Sequence, residues 1–103
     1  MDPRQHAVPE RDAICSRYKE PRRLRTRTMG TPFWIRSERG ELIVTTSSGN
    51  DRHVRWDELD TTWPHIARGN PRHLWRELTN NSSYLESIFD DLTEAGLGQQ
   101  QRQ

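Results

Sequence analysis

The side chains in this 103-residue chain that could attack a substrate or bind a metal ion are few and widely separated. Cys15 is the only cysteine, and no neighbouring residue in its polar segment is placed to act as the base that activates a thiol. Zinc sites need clustered Cys and His ligands, whereas the histidines here are scattered along the chain at His6, His53, His65 and His73. The sequence therefore predicts neither a nucleophilic active site nor a zinc site.

The carboxylates do not form a recognisable catalytic pattern either. Asp90 and Asp91 are adjacent on a predicted helix, so their side chains diverge by about 100°. Asp57, Glu58 and Asp60 lie at a predicted helix start, where the helix dipole favours acidic residues. The nucleophile-elbow and glycine-rich phosphate-loop motifs are absent from the sequence. We therefore expect that the protein is not an enzyme and that it uses no cofactor and no metal ion.

Arginine is the residue type that remains as a candidate for binding. Of the 16 basic residues, only Lys19 is a lysine. Arginine recognises phosphate and base edges better than lysine does, although a GC-rich genome would produce the same bias. Up to Trp56 the chain has 12 basic and 7 acidic residues, a charge of +5, and from Asp57 onward it has 4 and 8, a charge of −4. This asymmetry predicts one basic and one acidic surface.

The stretch from Pro32 to Trp56 predicts the strands that would carry those arginines. Three runs rich in β-branched and aromatic residues are separated by turns that contain Gly40 and Gly49, which is typical of an antiparallel meander. Side chains alternate between the two faces of a strand. We expect Phe33, Ile35, Leu42, Val44, Val54 and Trp56 to point inward. The residues expected to point outward are Trp34, Arg36, Ile43, Thr45, His53 and Arg55, and a register slip of one residue would exchange the two sets.

From Asp57 onward the apolar spacing becomes helical. We expect a short helical turn after Asp57, a second piece that starts at Trp63-Pro64, and a third helix after Asn70. The last helix is predicted to start with a capping box of Ser83 and Glu86, to end at Gly96, and to expose Glu86, Asp90, Asp91 and Glu94. The predicted core comprises Phe33, Ile35, Val44, Val54, Trp56, Leu59, Trp63, Ile66, Leu74, Leu78, Leu85, Ile88, Phe89 and Leu92.

The predicted fold class is α+β, with a three-stranded antiparallel β-meander packed on two or three C-terminal helices. We expect residues 1–28 to form a basic, Pro-containing and mostly disordered tail, and residues 29–96 to form a single small domain. Residues 97–103 are expected to form a disordered, Gln-rich tail. Apolar residues make up only 30% of the chain and the mean hydropathy is −1.10, which predicts a thin core.

These features favour a small nucleic-acid-binding protein, such as an accessory or regulatory factor of a bacterium or phage. In this interpretation the basic tail contacts phosphates, and the sheet face either reads base edges in a groove or stacks single-stranded bases on a tryptophan. The predicted contact residues are Arg22, Arg23, Arg25, Arg27, Trp34, Arg36, Arg52, His53 and Arg55.

Three other interpretations remain open. The first is a protein-interaction module, such as a subunit, an antitoxin-like protein or an inhibitor. It includes a homo-oligomer in which the basic half of one copy meets the acidic half of another. The second is that the arginines form an ordinary solvated surface. The third is an enzyme, which would require His53 or His73 beside a carboxylate in a pocket. Without a charged-then-apolar leader or a long apolar run, we expect a cytoplasmic protein without membrane contact.

Overall fold

The computed structural model describes residues 8–97 and shows an α+β fold, in which an antiparallel sheet is covered on one face by helices. Strand order in the sheet follows chain order, β1-β2-β3-β4. Two 3-10 turns, Arg72–Leu74 and Arg76–Leu78, lie between the last two helices. The helices and strands in chain order are α1 (Arg11–Arg17), β1 (Arg22–Arg25), β2 (Pro32–Glu38), β3 (Glu41–Thr45), β4 (Asp51–Val54), α2 (Trp56–Ala67) and α3 (Ser82–Glu94).

The sheet has four strands, so the prediction of three was wrong. The additional strand, β1, lies in the segment that we predicted as a tail, and α1 lies there too. Ile14 and Tyr18 are fully buried, and Leu24 packs against the same core. These three apolar side chains anchor the segment and leave its arginines at the surface. Residues 1–7 and the Gln-rich stretch from residue 98 lie outside the described residues.

The predicted meander is present as β2, β3 and β4. Ile35 lies opposite Val44, and Leu42 lies opposite Val54; all four belong to the buried core. The first turn consists of Arg39 and Gly40, with φ angles of +56° and +78°. Two successive positive φ angles are the signature of the hairpin turn whose twist matches the flanking strands, and glycine adopts the second without steric cost.

The helical region differs in detail from the prediction. Helix α2 is continuous, with Pro64 in its last turn, rather than divided there. The helix expected after Asn70 is replaced by the two 3-10 turns. Trp75, between the turns, is buried, whereas Leu74 and Leu78 are 59% and 46% exposed. The core prediction was therefore wrong for these two leucines, because a turn of three residues does not keep side chains four apart on one face.

The end of α3 matches the prediction, but its start does not. At the end, Gly96 has a φ of +82°, and the Leu97 and Gly96 N–H groups donate to the carbonyls of Leu92 and Thr93, both at 2.9 Å. This is the Schellman arrangement expected of a C-terminal glycine. At the start, no side-chain capping hydrogen bond forms, and Glu86 instead makes an ion pair with Arg72.

Two acidic residues of α3 that we predicted to face water are instead buried. Glu86 is 7% exposed and Asp91 is 8% exposed. The Asp91 carboxylate accepts hydrogen bonds from Arg17 at 2.7 and 2.9 Å and from the Tyr18 hydroxyl at 2.7 Å. Because all of its donors come from the N-terminal segment, the helical pattern of α3 alone could not reveal that Asp91 is an internal residue.

Candidate nucleic-acid interface

The sheet surface that looks away from the helices, here called the outer face, is organised by the strand register. Arg23 of β1 lies opposite Trp34 of β2, and Trp34 lies opposite Thr45 of β3, which lies opposite Asp51 of β4. In the neighbouring row the three members are Arg36, Ile43 and His53. The outward direction predicted for Trp34, Arg36, Thr45 and His53 agrees with this register.

Trp34 and its neighbours form what we call the basic corner of the outer face, made of Arg23, Arg25, Pro32 and Trp34. The Trp34 side chain is 48% exposed. Arg23 is exposed and forms no ion pair with any residue between 8 and 97. Arg25 donates from Nη1 to the Gly30 carbonyl at 3.0 Å. It has no carboxylate partner among residues 8–97 either. The corner thus combines an accessible indole with two arginines that no carboxylate of the described chain neutralises.

Arg36, also on the outer face, is in a different electrostatic position. Its guanidinium donates to Glu38 at 3.2 Å, to Thr45 Oγ1 at 3.0 Å and to Asp51 at 3.3 Å. Hydrogen bonding to Asp51 raises the pKa of Arg36, and hydrogen bonds from Thr45 and Arg36 lower the pKa of Asp51. Two carboxylates therefore share one guanidinium, which leaves this part of the face without excess positive charge.

The far side of the outer face carries further carboxylates. His53 Nδ1 lies 3.1 Å from Glu41, and Arg55 lies 3.1 Å from Asp57 at the start of α2. Glu41, His53 and Arg55, with Val54 and Trp56, line a cleft of about 190 Å³. We call Glu38, Glu41 and Asp51 the acidic half of the outer face. The outer face thus carries carboxylates as well as arginines, so it is not uniformly basic as expected.

Two of the predicted contact residues are used to hold the N-terminal segment against α3. Arg22 lies opposite Ile35 and so points to the helix side of the sheet, where its Nε is 3.3 Å from Asp91. Arg27, just beyond β1, donates to both oxygens of Asp90 at 2.7 and 3.1 Å. Consecutive strand residues face opposite ways, so Arg22 and Arg23 cannot both lie on the outer face.

Arg52 also points to the helix side. It lies opposite Val44 on β4, donates to the Asn80 carbonyl at 3.0 Å, and places its guanidinium carbon 5.9 Å from the centre of the Tyr84 ring. Its contacts connect the edge of the sheet to the start of α3. Arg52 is thus separated by the sheet from Trp34, His53 and the basic corner.

We predicted β1 as part of a mostly disordered tail and did not identify the acidic half. The sequence nevertheless contains a signal for the strand and another for the carboxylates. The run Arg23-Leu24-Arg25 alternates polar and apolar residues, as a half-buried strand does. Glu38 and Glu41 are the end residues of one predicted turn and Asp51 is the last residue of the other, so each carboxylate adjoins a predicted strand.

Comparisons with known proteins gave no match: no family model, no curated sequence and no solved structure is significantly similar to this chain. Within residues 8–97, no group of three or more His, Cys, Asp or Glu side chains is arranged to hold a metal ion. No helix of that part of the chain has the length and apolar character needed to cross a membrane. A function can therefore be inferred only from the geometry of the residues themselves.

Proposed function

We propose that this protein is a non-enzymatic nucleic-acid-binding protein and that it binds through the basic corner of its outer face. The observation that supports the proposal is the pairing of Trp34 with Arg23 across β1 and β2. Aromatic side chains stack on bases of any sequence, and arginines contact phosphates and release their counterions. A half-exposed tryptophan alone does not indicate a function. Trp34, however, lies opposite Arg23 and beside Arg25, and no carboxylate of residues 8–97 pairs with either arginine.

The geometry favours some of the predicted contact residues over others. Arg23 and Arg25 are exposed and lie beside Trp34, so we assign the phosphate contacts to them. Arg22, Arg27 and Arg52 already bind protein groups, so a phosphate would have to compete with those groups for them. Arg36 and His53 are paired with carboxylates, so they contribute little positive potential to a ligand.

The test is a binding titration with a fluorescein-labelled oligonucleotide, followed by anisotropy. We expect Trp34→Ala to weaken binding by about 1–3 kcal/mol, the usual value of one base stacked on an aromatic ring. Arg76→Ala, which removes an exposed arginine from the segment between α2 and α3, is the matched control and should bind normally. No binding by the unaltered protein, or equal binding by Trp34→Ala, would contradict the proposal.

A second candidate function is a protein-interaction module, which is favoured by the exposure of Leu74 and Leu78. These two leucines belong to neighbouring 3-10 turns of a chain with few apolar residues, and both are exposed to solvent. A second copy of the chain that covers them would give a dimer. Mass measurement in solution at low and high salt tests for this dimer. A dimer that is lost in the Leu74→Gln/Leu78→Gln variant supports self-association through these leucines, and a monomer under all conditions excludes it.

A further inference from the structure

We infer that the nucleic acid bound at the basic corner is single-stranded and that the corner contacts only about two of its nucleotides. The inference depends on the proposed function and specifies its ligand. It follows from three features of the outer face, namely the size of the basic corner, the position of the acidic half, and the accessibility of the Trp34 ring.

The basic corner is small. It occupies two neighbouring strands, which lie about 4.8 Å apart, and Arg23 and Arg25 are two residues apart on β1, or about 7 Å. That separation is close to the distance between successive phosphates of an extended strand. Because Trp34 lies opposite Arg23 and Arg25 lies opposite Pro32, a nucleotide whose base stacks on Trp34 can place one phosphate near Arg23 and the next near Arg25. A third nucleotide would lie beyond the corner.

The acidic half limits the width of the ligand. Asp51 lies two strands away from Trp34 in the same row, a distance of about 10 Å. The major groove of a DNA duplex is about 12 Å wide, so a duplex that rests on the basic corner would bring phosphates of its other strand near Asp51 and Glu41. Arg36 cannot screen this repulsion, because Glu38 and Asp51 already bind its guanidinium.

The Trp34 ring also favours an unpaired base. It lies within β2, between Arg23 of β1 and Thr45 of β3, rather than in a turn. A ring in this position reaches the face of a base only when that base is already unstacked, as in single strands and loops.

The small number of phosphate contacts predicts a weak dependence on salt. Two arginines that each neutralise one phosphate give a slope of log K against log salt of about −1.4 for a single strand. Affinity should then fall only about sevenfold between about 50 and 200 mM salt. A protein that makes six to ten phosphate contacts would instead lose on the order of a thousandfold or more over the same range.

The experiment compares one labelled oligonucleotide of about 12 nucleotides, a length within the range of single-strand sites, with the same oligonucleotide annealed to its complement. Both are titrated with the full chain at the two salt concentrations, in DNA and RNA versions. We expect the duplex to bind at least tenfold more weakly. Equal or tighter duplex binding, or a salt dependence above a hundredfold, would overturn the inference and leave nucleic-acid binding itself intact. No binding of either form would overturn the proposed function and the inference with it.

A variant tests the role of the acidic half directly. Glu41→Gln with Asp51→Asn removes two carboxylates, which lie outside the basic corner, and frees part of the Arg36 guanidinium. We expect duplex affinity to rise by about tenfold or more, while single-strand affinity changes less than threefold. A duplex affinity that does not rise would show that these carboxylates do not select the ligand.

Discussion

The hydroxyl of Tyr18 donates a 2.7 Å hydrogen bond to Oδ2 of Asp91, across 73 positions of the sequence. The Tyr18 side chain is fully buried, and Arg17 donates two further hydrogen bonds to the same carboxylate. These contacts hold the chain between α1 and β1 against α3. Because β1 carries Arg23 and Arg25, a carboxylate on the helix side of the sheet helps to position the basic corner on the outer face.

Asp91→Ala should destabilise the fold by about 2–4 kcal/mol, since it leaves the buried Tyr18 hydroxyl and the Arg17 guanidinium without their acceptor. The adjacent Asp90→Ala is the matched control. Asp90 and Arg27 are both more than 40% exposed, and a surface ion pair is worth less than about 1 kcal/mol. Urea unfolding of the two variants measures the difference, and equal losses would show that Asp91 is not an internal anchor.

Stability should fall in acid, and Asp91 should contribute to that fall. Burial tends to raise the pKa of Asp91, but the hydrogen bonds from Arg17 and Tyr18 outweigh it and hold this pKa below the ordinary value of 3.8. A carboxyl group with a lowered pKa stabilises the fold above its unfolded pKa and loses that effect as the pH falls through the folded pKa. Urea midpoints should thus decrease below about pH 4, and less steeply in Asp91→Asn than in the unaltered protein.

Tyr18 should make stability decrease at high pH. Burial, together with the hydrogen bond to Asp91, raises the pKa of Tyr18 well above the ordinary value of 10.0. The neutral phenol is therefore retained in the folded chain while the unfolded chain ionises, so this stabilisation is complete below about pH 10 and is lost as the pH rises further. Tyr18→Phe should flatten the alkaline part of the stability profile. The half-buried Tyr84→Phe is the control that should keep the alkaline decrease.

Arg23 and Arg36 should differ in their effect on binding, although the sequence predicted both as contact residues. Arg23→Ala removes a guanidinium that no carboxylate of residues 8–97 binds, and it should reduce the salt slope of single-strand binding by about 0.7. Arg36→Ala removes a guanidinium that Glu38 and Asp51 already hold, so the slope should stay unchanged. Anisotropy titrations over a series of salt concentrations measure both slopes. The same decrease in both variants would mean that Arg36 leaves its carboxylates to contact phosphate.

Trp75 and Leu74 are adjacent in sequence and should have opposite importance for stability. Trp75 is buried, and its Nε1 donates to the Asn70 carbonyl at 3.2 Å, so Trp75→Ala should cost about 3–5 kcal/mol. Leu74 is mostly exposed, so Leu74→Ala should change the free energy of unfolding by no more than about 0.5 kcal/mol. Thermal unfolding of both variants measures this difference, and equal losses of stability would contradict the burial of Trp75 and the exposure of Leu74.

Local patterns were sufficient for much of this fold. Alternation predicted strands β2, β3 and β4 and the outward position of Trp34, and Gly40 and Gly96 marked a hairpin turn and a helix end. Each of these features depends on residues within a few positions of each other. The φ angle of a glycine and the face of a strand residue are properties of the local backbone, so they can be read from a short window of sequence.

The electrostatics of the candidate site depend on contacts that no short window contains. Strand pairing brings Arg36 to Asp51, and helix packing brings Arg17 and Arg22 to Asp91. Sequence composition counts all of these arginines as positive charge, but an ion pair cancels that charge only where the fold brings its two members together. The assignment of binding to Arg23 and Arg25 therefore comes from the packing of α1, β1 and α3, because Coulomb interactions depend on distance in space and not on separation along the chain.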